Sequence, residues 1–150
     1  MNLLAIETAT EACSVALWCD GSVRERFEIA PRRHTELVLP WADALLAEAG
    51  LAKSQLDVIA CGRGPGAFTG VRLAVALTQG LALALDRPVV AVSTLAALAF
   101  NASITPGDAV LAAIDARMGE VYLGAFMREA DDVRALAPER LLPPSAATMD

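Results

Sequence analysis

Leu3-Leu4-Ala5-Ile6 is apolar at four successive positions and stops at Glu7. A strand with one wet face alternates apolar and polar residues, so an unbroken run asks for cover on both faces, as in the middle of a layered α/β sheet. The next segments extend that sheet. Residues 13–19 read as a second strand and Asp20-Gly21 as a two-residue hairpin turn. Residues 22–29 read as a third strand, with Val23, Phe27 and Ile29 on one face and Ser22, Arg24, Arg26 and Glu28 on the other. Residues 34–49 carry Leu37, Trp41, Ala44 and Leu45 at helical spacing and meet a stop at Gly50. Pro40 inside this segment is expected to kink the helix or delay its start. A strand over 56–61 leads into the glycine-rich residues 62–70 and a helix to about residue 85, with Thr69 as its expected N-cap. Residues 88–92 form a fifth strand, and Ser93 or Thr94 caps a short helix to about residue 101. The first hundred residues read βββαβαβα.

Thr105-Pro106-Gly107-Asp108 is the clearest loop in the chain and the expected domain boundary. A shift of 108 positions lays Ala113-Ile114-Asp115 on Ala5-Ile6-Glu7, and Leu123, Ala125 and Phe126 on Val15, Leu17 and Trp18. The economical reading is a duplicated α/β unit. Residues 1–107 are then a first domain and 108–150 the start of a second one, cut short after two or three strands, with Pro143-Pro144-Ser145 as a linker.

Composition narrows the function. An apolar fraction of 55% excludes a disordered chain, and a net charge of −6 disfavours a broad phosphate-tracking surface. The amino terminus has no basic n-region and reads as part of the fold rather than a secretory signal. The greasy stretch 71–85 is shorter than the ~20 residues that span hydrocarbon, so no transmembrane segment is expected. Cys13, Cys19 and Cys61 have no C-x-x-C spacing and lie in strand-like runs. They read as buried thiols of a reducing compartment, with the cytoplasm as the expected location.

Gly64 and Gly66, ahead of a helix, offer backbone N–H groups to an anion, but the loop lacks the Lys-Ser/Thr of a Walker sequence. A tight strand-to-helix turn explains the same glycines. Glu7, followed by Thr8 and Thr10, and Asp115 in the second copy would suit a nucleotide-bound divalent cation if the two units face each other. Each acid would also serve as a plain strand-end cap. His34, the single histidine, has no patterned nucleophile partner, and no His/Cys cluster has metal-ligand spacing, so no metal is expected. The inventory argues against a self-contained catalyst.

The helices say more. Between residues 69 and 85 only Arg72 and Gln79 are strongly polar; Ala76, Gly80 and Ala84 form a small-residue row, and Leu73, Leu77, Leu81 and Leu85 a bulky one. A helix apolar nearly all round is covered on both sides. One face can take the sheet, which leaves the other for a second subunit.

Four motifs in order carry a family resemblance: Ala5-Ile6-Glu7-Thr8-Ala9-Thr10-Glu11, Arg33-His34-Thr35-Glu36-Leu37, residues 62–72, and Ala113-Ile114-Asp115-Ala116-Arg117-Met118-Gly119-Glu120-Val121-Tyr122. From residue 1 to about 126 the chain resembles the TsaB family, bacterial partner subunits in the synthesis of threonylcarbamoyladenosine beside the tRNA anticodon. The resemblance implies an actin-like, ribonuclease-H-like α/β fold of two duplicated domains. It also implies a non-catalytic role beside the catalytic sister TsaD. The sister's metal-binding His-x-x-x-His pair falls here at about Thr94 and Leu98, neither of which replaces a histidine ligand. The implied interface lies on the first two helices, at Leu37, Val38, Trp41, Leu45, Arg72, Val75, Ala76, Gly80 and Leu83. Implied partners are a TsaD-like protein, a TsaE-like ATPase and, in their absence, a second copy, with tRNA reached only through the complex and no membrane. The chain is expected to hold no cofactor of its own, with ATP or ADP placed at the partner contact. The alternative is a stand-alone actin-like ATP-dependent enzyme, either a kinase or a glycoprotease-type peptidase.

Overall fold

In the computed structural model, residues 1–147 are described. The first sheet is built from β1 (Leu3–Glu7), β2 (Ala12–Cys19), β3 (Ser22–Ile29), β4 (Val58–Gly62) and β5 (Val89–Val92), in the order β3-β2-β1-β4-β5. β1 is central, antiparallel to β2 and parallel to β4, while β4 and β5 are also parallel. Two antiparallel pairings followed by parallel crossovers through helices give the element order βββαβαβα expected from the sequence.

Helices α1 (His34–Glu48) and α2 (Phe68–Leu85) pack on this sheet, α1 against β2 and β3 and α2 chiefly against β4. Leu4, Ile6, Val15 and Leu17 from the strands meet Val38, Leu45 and Ala74 from the helices in one buried cluster. On β1 the alternate residues Leu3, Ala5 and Glu7 are only half-buried, so the run that looked covered on both faces is sealed on one. β3 splits its residues as expected, but its apolar set faces outward. Arg24, Arg26 and Glu28 are half-buried and Arg26 pairs with Glu48 of α1, whereas Val23, Phe27 and Ile29 are exposed. Alternation fixes which residues share a face, and only the placement of α1 decides which face is inside.

α1 continues through Pro40 as one helix from His34, so the expected delay does not occur. α2 begins at Phe68 with Ala67 as N-cap and no side-chain cap bond, in place of the expected Thr69 cap. Its start is tied instead to the end of β1: Ala67 N–H donates to the Ala9 carbonyl at 2.7 Å, and the Thr8 hydroxyl donates to the Gly70 carbonyl at 2.7 Å. α2 is long and apolar enough to cross a membrane by length and composition. Here it is a sheet-packed helix, burying Ala74, Thr78 and Ala82.

Packing divides the chain into one unit of Met1–Arg63 with Ala67–Val92, and another of Gly64–Gly66 with the described part of Ser93–Asp150. The division falls at Val92/Ser93, ahead of the expected 107/108 boundary. The reason is α3 (Thr94–Phe100), which packs on the strands after it: Leu95 and Ala99 are buried with Ala112 and Phe126. Those strands are β6 (Ala109–Arg117), β7 (Glu120–Arg128), β8 (Val133–Ala135) and β9 (Arg140–Leu142). β6 pairs one side of β7 along its length, and the short β8 and β9 both pair with β7. Pro143-Pro144-Ser145, expected as a linker, runs into a single 3-10 turn over Pro144–Ala146.

The Ser93 hydroxyl caps α3, accepting the N–H groups of Leu95 (3.1 Å) and Ala96 (3.2 Å), and it also pairs with Glu139. Ser93→Ala removes the cap and strands these donors in a partly buried place. It is expected to cost about 1 kcal/mol, read as a lower urea midpoint at unchanged slope.

Candidate functional site

The residues proposed for a nucleotide are bound into local turns. Glu7 Oε1 accepts the Ala9 N–H at 2.6 Å, and the Thr10 hydroxyl oxygen accepts the Ala12 N–H at 3.2 Å. Thr8 is fully buried, its hydroxyl committed to Gly70. Gly62 permits this arrangement, because a Cβ there would run into the Glu7 carboxylate. In the second unit Asp115 Oδ1 accepts the Arg117 N–H at 2.8 Å. Glu7 and Asp115, which the 108-residue shift superposes, each accept the N–H two residues ahead, Glu7 at the end of β1 and Asp115 at the register shift near the end of β6. Among the described residues no three His, Cys, Asp or Glu side chains gather as a metal site.

The glycine-rich loop is not one cradle. Gly64 and Gly66 pack with the second unit, where the Gly64 carbonyl accepts the Thr94 N–H at 2.9 Å, while Ala67 and the helix start belong to the first. His34 is half-buried with Nε2 3.2 Å from the Ala12 carbonyl, so it buttresses β2 rather than standing in solvent. All three cysteines are buried and free. Burial, reinforced by the negative charge of Glu28, pushes the Cys13 thiol up from its ordinary range, which keeps it protonated and a poor nucleophile at neutral pH.

One apolar surface left open is the outer side of α2. Its inner row is Ala74, Thr78 and Ala82; its outer row carries Phe68, Arg72, Ala76, Gly80 and Leu83, with Phe68 at 71% and Leu83 at 86% exposure. The Arg72 guanidinium lies over the Phe68 ring at 3.3 Å, so even the one cation of this face is folded onto an aromatic. A Cβ at Gly80 would meet nothing within 4 Å. Of the interface residues expected from sequence, Arg72, Ala76, Gly80 and Leu83 share this face. Val75, Leu37 and Trp41 are half-buried against the core. Val38 and Leu45 are core residues with no exposed surface and are withdrawn from the interface. Both lie on the α1 face turned to the sheet, which helical spacing alone does not distinguish from the outer one. Phe68, not among the residues expected from sequence, lies on this face too, at i, i+4 spacing to Arg72.

Comparison with known proteins now has a geometry to attach to. The family model described as TsaD: tRNA N6-adenosine threonylcarbamoyltransferase matches residues 27–148. The tRNA threonylcarbamoyladenosine biosynthesis protein TsaB of Escherichia coli is 49% identical over 134 residues, covering 89% of this chain. The protein of the same name from Haemophilus influenzae is 48% identical over 86% of the chain. The chain belongs to this family, on its TsaB branch. The solved structure of YeaZ from Pseudomonas aeruginosa superposes with a TM-score of 0.93 at 50% identity, over 99% of this chain and 70% of that one. The actin-like, ribonuclease-H-like fold expected from the resemblance is therefore the fold of the chain. This TsaB-family chain spans 58% of the length of the E. coli relative and 55% of the H. influenzae one.

Proposed function

We propose that this TsaB-family chain is a non-catalytic subunit of the machinery that makes threonylcarbamoyladenosine in tRNA, and that it docks on a catalytic threonylcarbamoyltransferase of related fold. The observation that carries this reading is the outer row of α2, an apolar helix face with a glycine at its middle, on which another helix backbone can approach closely. Small residues allow that approach, and the leucine and phenylalanine at the ends supply apolar area. The non-catalytic half rests on the resemblance, which puts the transferase's metal-binding histidines at about Thr94 and Leu98: Thr94 is buried, and the Leu98 side chain is a hydrocarbon with no ligand atom. On this reading ATP or ADP binds at the contact with the partner; in its support, Glu7 and Thr10 accept N–H groups of their own turns and the Thr8 hydroxyl donates to the Gly70 carbonyl. tRNA is reached through the complex. Three buried free thiols suit the reducing cytoplasm.

Light scattering on a sizing column tests the reading, with the chain alone and mixed with the threonylcarbamoyltransferase of its own organism. Association into a one-to-one complex is expected, with a homodimer of this chain giving way to it, and with threonylcarbamoyl transfer only in the mixture. A chain that ignores the transferase, or that turns over ATP unaided, overturns it.

A further inference from the structure

We infer that Thr8 is a positioning residue for docking: from the loop after β1 it seats the first turn of α2, and so sets where Phe68 and Arg72 stand on the outer face. This rests on the function proposed above, which gives that face to the transferase.

The first turn of α2 has little of its own to hold it. Ala67 supplies no side-chain cap, and no acidic residue stands in the turn to complement the helix dipole. An uncapped helix end frays, and Phe68, the first residue of the helix, would fray with it. Two hydrogen bonds to the loop after β1 hold it instead. The Thr8 hydroxyl donates to the Gly70 carbonyl and the Ala67 N–H donates to the Ala9 carbonyl, each at 2.7 Å. A Cβ on Gly70 would overlap the Thr8 carbonyl, so the turn rests directly on the loop backbone. Thr8 itself has no exposed surface and acts on the outer face only through this seat. Above the seat the Arg72 guanidinium lies over the Phe68 ring at 3.3 Å, so the two are placed as one group. The other end of α2 is held separately: the Arg87 guanidinium donates to the carbonyls of Leu56 (2.6 Å) and Ser54 (3.1 Å). Leu83, about 20 Å along the helix axis from Phe68, is placed by that end and not by Thr8.

Calorimetry of the full chain with its organism's threonylcarbamoyltransferase, beside a urea melt of each variant, tests this. Thr8→Val keeps the volume and loses the hydroxyl; Thr8→Ser keeps the hydroxyl and loses a buried methyl group. Both are expected to lower the urea midpoint, a loss that leaves nearly every molecule folded and by itself does not move Kd. Only Thr8→Val is expected to weaken binding, by about tenfold. That loss is expected to shrink to about twofold in a Phe68→Ala background, where the placed group is gone, and to stay about tenfold in a Leu83→Ala background. Coupling is reciprocal, so bound transferase is expected to slow hydrogen exchange of the Ala67 N–H in the wild-type chain by about the same tenfold, a measurement that serves even where Thr8→Val fails to fold. Unchanged binding by Thr8→Val, equal losses for Thr8→Val and Thr8→Ser, an undiminished loss in the Phe68→Ala background, or unchanged exchange at Ala67 would each overturn the inference and leave the subunit reading standing. If the wild-type chain does not bind the transferase, or if Phe68→Ala and Leu83→Ala both bind like wild type, the docking reading falls and the role of Thr8 with it.

Discussion

Gly70→Ala is expected to destabilise the chain by about 3 kcal/mol, and Gly80→Ala, ten residues along the same helix, to stabilise it by about 0.5–1 kcal/mol. The two glycines look equivalent in sequence and are opposite in physics. A Cβ at Gly70 would collide with the backbone carbonyl of Thr8, an atom that cannot swing aside like the end of a long side chain. Relief requires the first turn of α2 to move off the end of β1, which breaks the hydrogen bond from Thr8 to Gly70 and the one from Ala67 to Ala9. Both lie at the crossing where the loop after β1 passes under α2, so the loss extends to the seat of Glu7. Gly80 has open space where its Cβ would stand and ordinary helical φ, so alanine there only removes the entropy penalty of a mid-helix glycine. Urea midpoints at constant slope read both. Equal signs for the two would mean that α2 does not start against β1 as described.

Much of the first unit was legible because its rules are local. The Asp20-Gly21 hairpin and the β3 limits at Ser22 and Ile29 are each dictated by a few adjacent residues; in the second unit a cap at Ser93 or Thr94 was readable in the same way, and it is Ser93. What escaped needed a partner distant in sequence. Nothing in residues 22–29 tells that α1 will lie over the Arg24 side, leaving Val23, Phe27 and Ile29 outside. The sorting of α3 with β6 and β7 depends on Leu95 meeting Phe126, more than twenty positions away along the chain. β8 and β9 are three residues each and exist because β7 offers them backbone partners, so no periodicity announces them. At the candidate site, Glu7 and Asp115 were readable from the sequence as acids at corresponding positions of the 108-residue shift. Their shared task, taking the N–H two residues ahead, is visible only once the turns are built. On α2 the row Ala76-Gly80 was readable as a face, while helical spacing on α1 equally admitted Val38 and Leu45, which the sheet then claimed.

Gly80→Leu is expected to weaken association with the transferase about a hundredfold or more while leaving the urea midpoint of the isolated chain unchanged or higher. With nothing within 4 Å of its Cβ, position 80 accepts any side chain in the free protein. In a complex built on close helix approach, that vacancy is where the partner's backbone lies, and four added carbons hold the helices apart. Leu83→Ala probes the same face from the other direction: it shortens an 86%-exposed side chain, so it leaves the free chain's fold alone and removes only contact area. Its expected cost in binding is smaller, about tenfold, because a hole at the edge of an interface refills with water more easily than a wedge at the centre is accommodated. A Gly80→Leu chain that still binds like wild type would move the partner off α2 altogether. The outward apolar face of β3 would then be the surface to mutate next, since Val23, Phe27 and Ile29 are exposed together on one strand.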